Sequence, residues 1–191
     1  MDEQQLAPGA AAEIAAFAFE MGVLKRESRK GWIDAQISRP ESVADHTCRT
    51  AQLAAVIAAV EDGDASKAAH MAIWHDSQET RTRDLTKAIE SFLPRVDHNA
   101  VTAAQTARLP DTVRTLLQDT VAEFESQTSL EAVCARDADR LECLLQALEY
   151  QAAGNSLMQE WIDDSRAKLE TTAARNIADA AMSTSPLKWR H

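Results

Sequence analysis

The sequence predicts an all-α protein, and three observations carry that prediction. Alanine, the best helix former, dominates the apolar residues. Glycine and proline number only five each in 191 residues, and aromatics make up 5%. No stretch of useful length alternates apolar and polar residues with the period of two that a half-buried strand requires. At 45% hydrophobic and 26% charged, the chain has an ordinary globular balance that can build a core. Its length suits a single domain over residues 1–191, with the core at about 10–182 and both ends loose.

The elements follow in order. Residues 1–9 are polar. A helix over about 10–26 carries Ile14, Phe17, Phe19, Met21 and Leu24, and a charged loop from Lys25 to Trp32 follows it, broken at Gly31. Ser38 and Glu41 fit a capping box, and Pro40 is tolerated in a first turn, so a second helix starts there and runs to about Val60. Asp62-Gly63-Asp64 ends it, and a third helix spans about 65–79. Thr80 to Asp84 is a loop. Helices over about 85–93 and 97–108 are separated by Pro94. Pro110 opens a helix to about Ser126. Ser129 caps the next, with Glu131 in its first turn, and that helix runs to about Ala153. Gly154-Asn155 breaks the chain before a last amphipathic helix over about 156–182, and the tail after Pro186 frays.

The formal net charge of −10 argues against nucleic-acid polymers and anionic membranes, both of which call for a basic face. It leaves room for one small phosphate ligand held by a metal and a few local cations. Cys48, Cys134 and Cys143 are odd in number and form no C-x-x-C, which suits free thiols in a reducing cytoplasm. No basic segment leads into an apolar one at the N-terminus, and no apolar run approaches roughly 18 residues. The expectation is a soluble cytoplasmic protein.

The chemistry centres on His75 and Asp76, adjacent residues in an Ala-rich helical stretch. Successive helical residues point about 100° apart, so both can reach one ion at a helix edge. Glu79 lies one turn further on the same face, placed to orient or deprotonate a water without itself binding metal. His46 reaches the same ion if its helix packs beside that of His75. For a fourth donor the sequence offers Asp137 or Asp139. Asp137 shares a helical stripe with Val133, Leu141, Leu144 and Leu148, and Asp139 one with Ala132, Ala135, Cys143, Gln146 and Tyr150. The second stripe is smaller and more polar, which favours Asp139. Two imidazoles and two carboxylates make a mixed nitrogen–oxygen site with positions left for water and substrate. The bland alternative is a set of satisfied core or surface histidines, as His70, His98 and His191 are read to be.

The chain resembles the HD-domain phosphohydrolases, and more closely the branch that holds bacterial 5′-deoxynucleotidases and the human HD domain-containing protein 2. The matching segments are Arg29-Lys30-Gly31-Trp32, Pro40 to His46, His75 to Glu79, Asp84-Leu85, Asp137 to Glu142 and Gln146 to Tyr150. Their order and approximate spacing hold over about residues 14–165. The resemblance implies a helical bundle with the metal between helices, ligated by His46, His75, Asp76 and Asp139. It implies that Glu79 handles the water, that Asp84 is a second acidic site residue, and that Arg29 and Trp32 meet the phosphate and line the nucleotide pocket. Trp32 could also be a core anchor, Arg29 a solvated charge and Asp84 a cap for the following helix, and Arg81 and Arg83 are read as solvated in preference to touching substrate. Two departures stand out: Arg83-Asp84 replaces the family's usual Gly-Asp, placing a cation beside the substrate, and Gly31 stands where the bacterial nucleotidases often have Arg.

The implied activity is removal of the 5′-phosphate from (deoxy)nucleoside monophosphates by attack of a metal-bound water. The donor set suits Mn²⁺, Co²⁺ or Fe²⁺, with Zn²⁺ and Mg²⁺ less definite. A homodimer is the family expectation. The competing readings are hydrolysis of another phosphate ester, such as a modified nucleotide or a nucleoside triphosphate, and a non-catalytic nucleotide-binding helical protein.

Overall fold

The computed structural model describes residue 6 and residues 9–190. The loose start expected over residues 1–9 falls mostly outside the described residues. Those that are described form helices and connecting loops, with a single isolated antiparallel bridge between Ser28 and Ser42. The helices are α1 (Ala10–Met21), α2 (Lys30–Asp34), α3 (Val43–Val60), α4 (Ala65–Trp74), α5 (Glu79–Thr82), α6 (Lys87–Glu90), α7 (His98–Thr106), α8 (Asp111–Ser126), α9 (Leu130–Ala152), α10 (Gln159–Ala167) and α11 (Thr172–Met182). The fold is all-α, as the sequence predicts.

The centre of the bundle is α3 packed on α4 and α9, and α9 also touches α8, α10 and α11. Alanine makes this close approach available. Ala51, Ala54 and Ala58 on α3 face Ala68 and Ala72 on α4 and Ala135 and Ala138 on α9, and all are buried. Ile57, Met71, Leu141, Leu144 and Phe124 fill the remaining volume. Such a seam brings backbones near enough for short polar side chains from three helices to meet.

Three boundaries differ from the sequence expectation. The capping box is formed by Ser42 and Asp45, not by Ser38 and Glu41: Ser42 Oγ accepts from Asp45 N at 3.1 Å, and Asp45 accepts from Ser42 N at 3.0 Å. Glu41 is drawn off to accept from the Trp32 indole instead, at 2.8 Å. Residues 30–34 form a short helix through Gly31, not a loop broken there. The segment at 27–29 runs beside residues 41–43, through Arg29 N to Glu41 O and Val43 N to Glu27 O, which pins α2 to the start of α3. The last helix is two, α10 and α11, interrupted at 168–171. There Asp137 accepts from the backbone of Glu170 and Thr171 and from the Thr171 hydroxyl, so a side chain of α9 forms the corner. Smaller differences include α1 ending at Met21, because Gly22 closes it, and a 3₁₀ turn over Lys188–Arg190 in the tail expected to fray.

Candidate metal centre

The Ser42–Asp45 box fixes the first turn of α3 and so aims His46 at α9. The ring is fully buried. Its Nδ1 lies 2.5 Å from Glu142 Oε2, and Glu142 in turn accepts from Arg49 Nε at 2.9 Å and Nη2 at 2.7 Å. A carboxylate can only accept, so Nδ1–H donates and the Nε2 lone pair faces inward. His75 sits just past the end of α4, where its Nδ1 meets Ala72 O at 2.7 Å. That contact again selects the tautomer with a free Nε2, and this atom is buried with no hydrogen-bond partner. The ring is held between His46 and the edge of Phe124.

The two carboxylates complete the cluster. Asp76 Oδ2 lies 3.1 Å from His75 Nε2 and 3.7 Å from His46 Nε2. Asp139 Oδ1 lies 3.2 Å from His46 Nε2 and 3.8 Å from His75 Nε2. Two imidazole lone pairs and two carboxylates therefore converge, all of them acceptors. Acceptors facing one another need a proton or a cation between them. Burial opposes charging His75, but the carboxylates of Asp76 and Asp139 outweigh it and push the imidazole up to about 10. Burial likewise favours neutral Asp76, yet His75 and Arg29 hold it well below the usual carboxylate range. The donor set, with the orphaned His75 nitrogen, fits a divalent cation.

The four residues expected as ligands are thus brought together. Asp137, the alternative to Asp139, points the other way, into the α10–α11 corner. Around the cluster, Arg29 Nη1 spans Asp76 Oδ2 at 3.5 Å and Asp84 Oδ1 at 3.4 Å, and its Nη2 lies 3.2 Å from Cys143 Sγ. Asp84 also accepts from the backbone N–H of Lys30, the first residue of α2, and does not cap the helix that follows it, since α6 begins only at Lys87. Glu79 Oε2 is buried without a partner. Burial first, then the charges of Asp76 and Asp84, push the Glu79 carboxyl up to about 9.

Trp32 is built into the wall. It is 2% exposed, its edge packs on Tyr150, and it leans on Trp161. Arg83 does not face the cluster: its Nη1 pairs with Glu27 Oε2 at 3.2 Å and its side chain is 57% exposed. This agrees with the reading of Arg83 as a solvated charge and goes against an added cation beside the substrate. Its backbone adopts φ 69°, ψ 162°, a conformation native to glycine. His98 pairs with Glu125 and His70 meets Trp74 edge-on with its Nε2 buried and unpartnered, while His191 lies outside the described residues.

Sequence reasoning gave no site role to Glu142, Arg49, Glu41 or Cys143. Glu142 and Cys143 were accessible in principle, three and four residues after Asp139 on the same helical face. Arg49 and Glu41 become visible only once α3 is docked on α9.

The fold and site define a helical protein with a buried two-histidine, two-carboxylate centre of the kind metal-dependent hydrolases carry. The chain belongs to the HD domain family, whose model matches residues 21–181. It is 32% identical over 180 residues to the human 5′-deoxynucleotidase HDDC2, covering 84% of this chain and 86% of that one. To the Xenopus laevis 5′-deoxynucleotidase HDDC2 it is 36% identical, over 69% of this chain and 66% of the relative's length. Among solved structures, a Pyrococcus horikoshii protein superposes with a TM-score of 0.73 at 28% identity, over 87% of this chain and 97% of that one.

Proposed function

We propose that this protein is a divalent-metal-dependent phosphohydrolase that removes the 5′-phosphate from (deoxy)nucleoside monophosphates. The observation that carries the reading is the convergence of His46, His75, Asp76 and Asp139 next to the unpartnered buried carboxyl of Glu79. Its similarity to 5′-deoxynucleotidases supports the substrate class. A divalent cation at these four groups supplies Lewis acidity and acidifies water.

The chain's own residues do the rest. Glu142 and the Ala72 carbonyl hold the two imidazoles in the tautomer that ligates. Arg29 offers its guanidinium fork to the phosphate oxygens from between Asp76 and Asp84. Glu79 Oε2 orients a water and takes its proton. Burial, and then the charges of Asp76 and Asp84, raise that carboxyl, so it holds a proton firmly once it has taken one. Asp84 anchors Arg29 and the first turn of α2, which sets Trp32 as the wall behind the nucleoside.

The reading includes Mn²⁺, Co²⁺ or Fe²⁺ as the working ion, a homodimer, a cytoplasmic setting, and residues 10–182 as one folding unit. Among the described residues no helix is long and apolar enough to cross a membrane.

The test is phosphate release from a panel of ribo- and deoxyribonucleoside mono- and triphosphates by protein stripped and reloaded with single metals. The His75→Ala/Asp76→Ala double variant is the control. Release from monophosphates that vanishes in the variant supports the proposal. Release confined to triphosphates, or none with any metal, refutes it.

A further inference from the structure

One donor near the centre takes no part in the mechanism above. Cys143 lies one turn beyond Asp139 on α9, on the same face. Donor atoms of Cys143, His46 and Asp139 all fall within 4.8 Å of one another, as do those of His46, His75 and Asp76. The two groups share His46. On one ion, a metal–sulfur bond of about 2.3 Å and a metal–nitrogen bond of about 2.0–2.1 Å put two donors at most about 4.4 Å apart. The Sγ atom therefore needs only a small side-chain adjustment to join the shell. The buried, unpartnered Nε2 of His75 lies 3.8 Å from Asp139 Oδ1, the carboxylate that the Cys143 group shares with the four-donor centre. The present neighbour of Sγ is Arg29 Nη2 at 3.2 Å, while burial, and then Asp139, Glu142 and Glu41, hold the thiol neutral until an ion displaces its proton.

We infer that Cys143 is a fifth protein donor, engaged by thiophilic ions such as Co²⁺, Zn²⁺ and Cd²⁺ and left idle by Mn²⁺ and Mg²⁺. The inference rests on the metal reading of the site. On coordination the thiol gives up its proton to solvent and its sulfur lone pair forms the new bond, with no change of oxidation state. The cysteine would thus make the centre discriminate by softness, a thiophilic ion being bound more tightly than Mn²⁺ or Mg²⁺.

The experiment is a Co²⁺ titration of the stripped, full-length protein in a Cys48→Ser background, followed by absorbance. Visible d–d bands report cobalt in the centre and disappear in His75→Ala. A thiolate-to-cobalt charge-transfer band in the near ultraviolet reports the sulfur. The expected result is both bands in the parent, and d–d bands alone in Cys143→Ser. Cys143→Ala serves the same purpose should the serine variant fold poorly. Alongside, Cd²⁺ affinity falls by about 10–100-fold in the variant, the range typical of losing a group that supports a metal site, while Mn²⁺ affinity holds. Bands for d–d transitions without charge transfer in the parent overturn the role of Cys143 and leave the four-donor centre standing. No cobalt bands at all overturn both.

Discussion

Replacing Arg83 with glycine isolates the cost of one backbone conformation. Arg83 sits at φ 69°, ψ 162°, where a side chain is strained by about 1–3 kcal/mol and glycine is not. Taking about 2 kcal/mol as the relief, two losses offset it. Glycine gives the unfolded chain more freedom, worth about 0.4–1 kcal/mol. The Arg83–Glu27 pair also goes, but with Arg83 57% exposed such a pair is worth about 0–1 kcal/mol. Glu27 keeps Lys30 Nζ at 2.7 Å in any case. The balance is a gain of about 1 kcal/mol, which raises Tm by about 2–4 °C in a chain of this size. Differential scanning calorimetry of the parent, Arg83→Gly and Arg83→Ala reads it directly. Alanine keeps the strain and loses the pair, so its Tm stays level or drops slightly. A glycine variant that melts no higher than the alanine variant refutes the strain assignment.

Four further outcomes are expected. Glu142→Gln weakens Mn²⁺ binding by about 10–100-fold, because the group that fixes the His46 tautomer loses its charge. Unchanged affinity by isothermal titration would mean that Glu142 serves folding alone. Glu79→Gln lowers kcat by about 10²–10⁴-fold with Mn²⁺ still bound, and near-parental turnover would remove Glu79 from the proton path. Asp137→Asn costs about 2 kcal/mol or more, seen as a Tm lower by about 4–8 °C, since hydrogen bonds to a charged group are the stronger kind. The Glu20 carboxyl is held below its ordinary 4.5 by the hydrogen bond from Arg81, against the effect of burial. A depressed pKa stabilises the fold above the ordinary value and loses that effect as pH falls through the depressed one. Glu20→Gln is therefore less stable than the parent at pH 7, and the two converge in acid. A gap that persists at low pH contradicts that linkage.

Much of the site geometry was legible because it is helical and local. The choice of Asp139 by the smaller, more polar stripe depends only on the angle between successive residues on a helix, whereas His75, Asp76 and Glu79 are carried by the turn between α4 and α5, where the single helix expected over 65–79 is broken. The corner at 168–171 left no such trace. Lys168-Leu169-Glu170-Thr171 holds neither glycine nor proline, and the chain turns there because Asp137, 34 positions before Thr171, collects its N–H groups. The start of α3 shows the same limit in a milder form. Two serine-led capping patterns lie four residues apart, and tertiary demand for Glu41 by Trp32 decides between them. The chain of contacts from Arg49 through Glu142 to His46 needs two helices docked, which no single window of sequence displays.

The bond between His46 and Glu142 spans 96 positions. A ribosome adds about 5–20 residues per second, so roughly 5–20 s pass between the synthesis of that histidine and the arrival of its partner. Until α9 emerges, the α3 imidazole has neither its orienting carboxylate nor Asp139, and the nascent chain offers cations only scattered, weak donors. Under the proposed reading, an ion that needs all four donors would be held only by a chain that has already made α9 and docked it on α3, not by the growing α3–α4 pair alone.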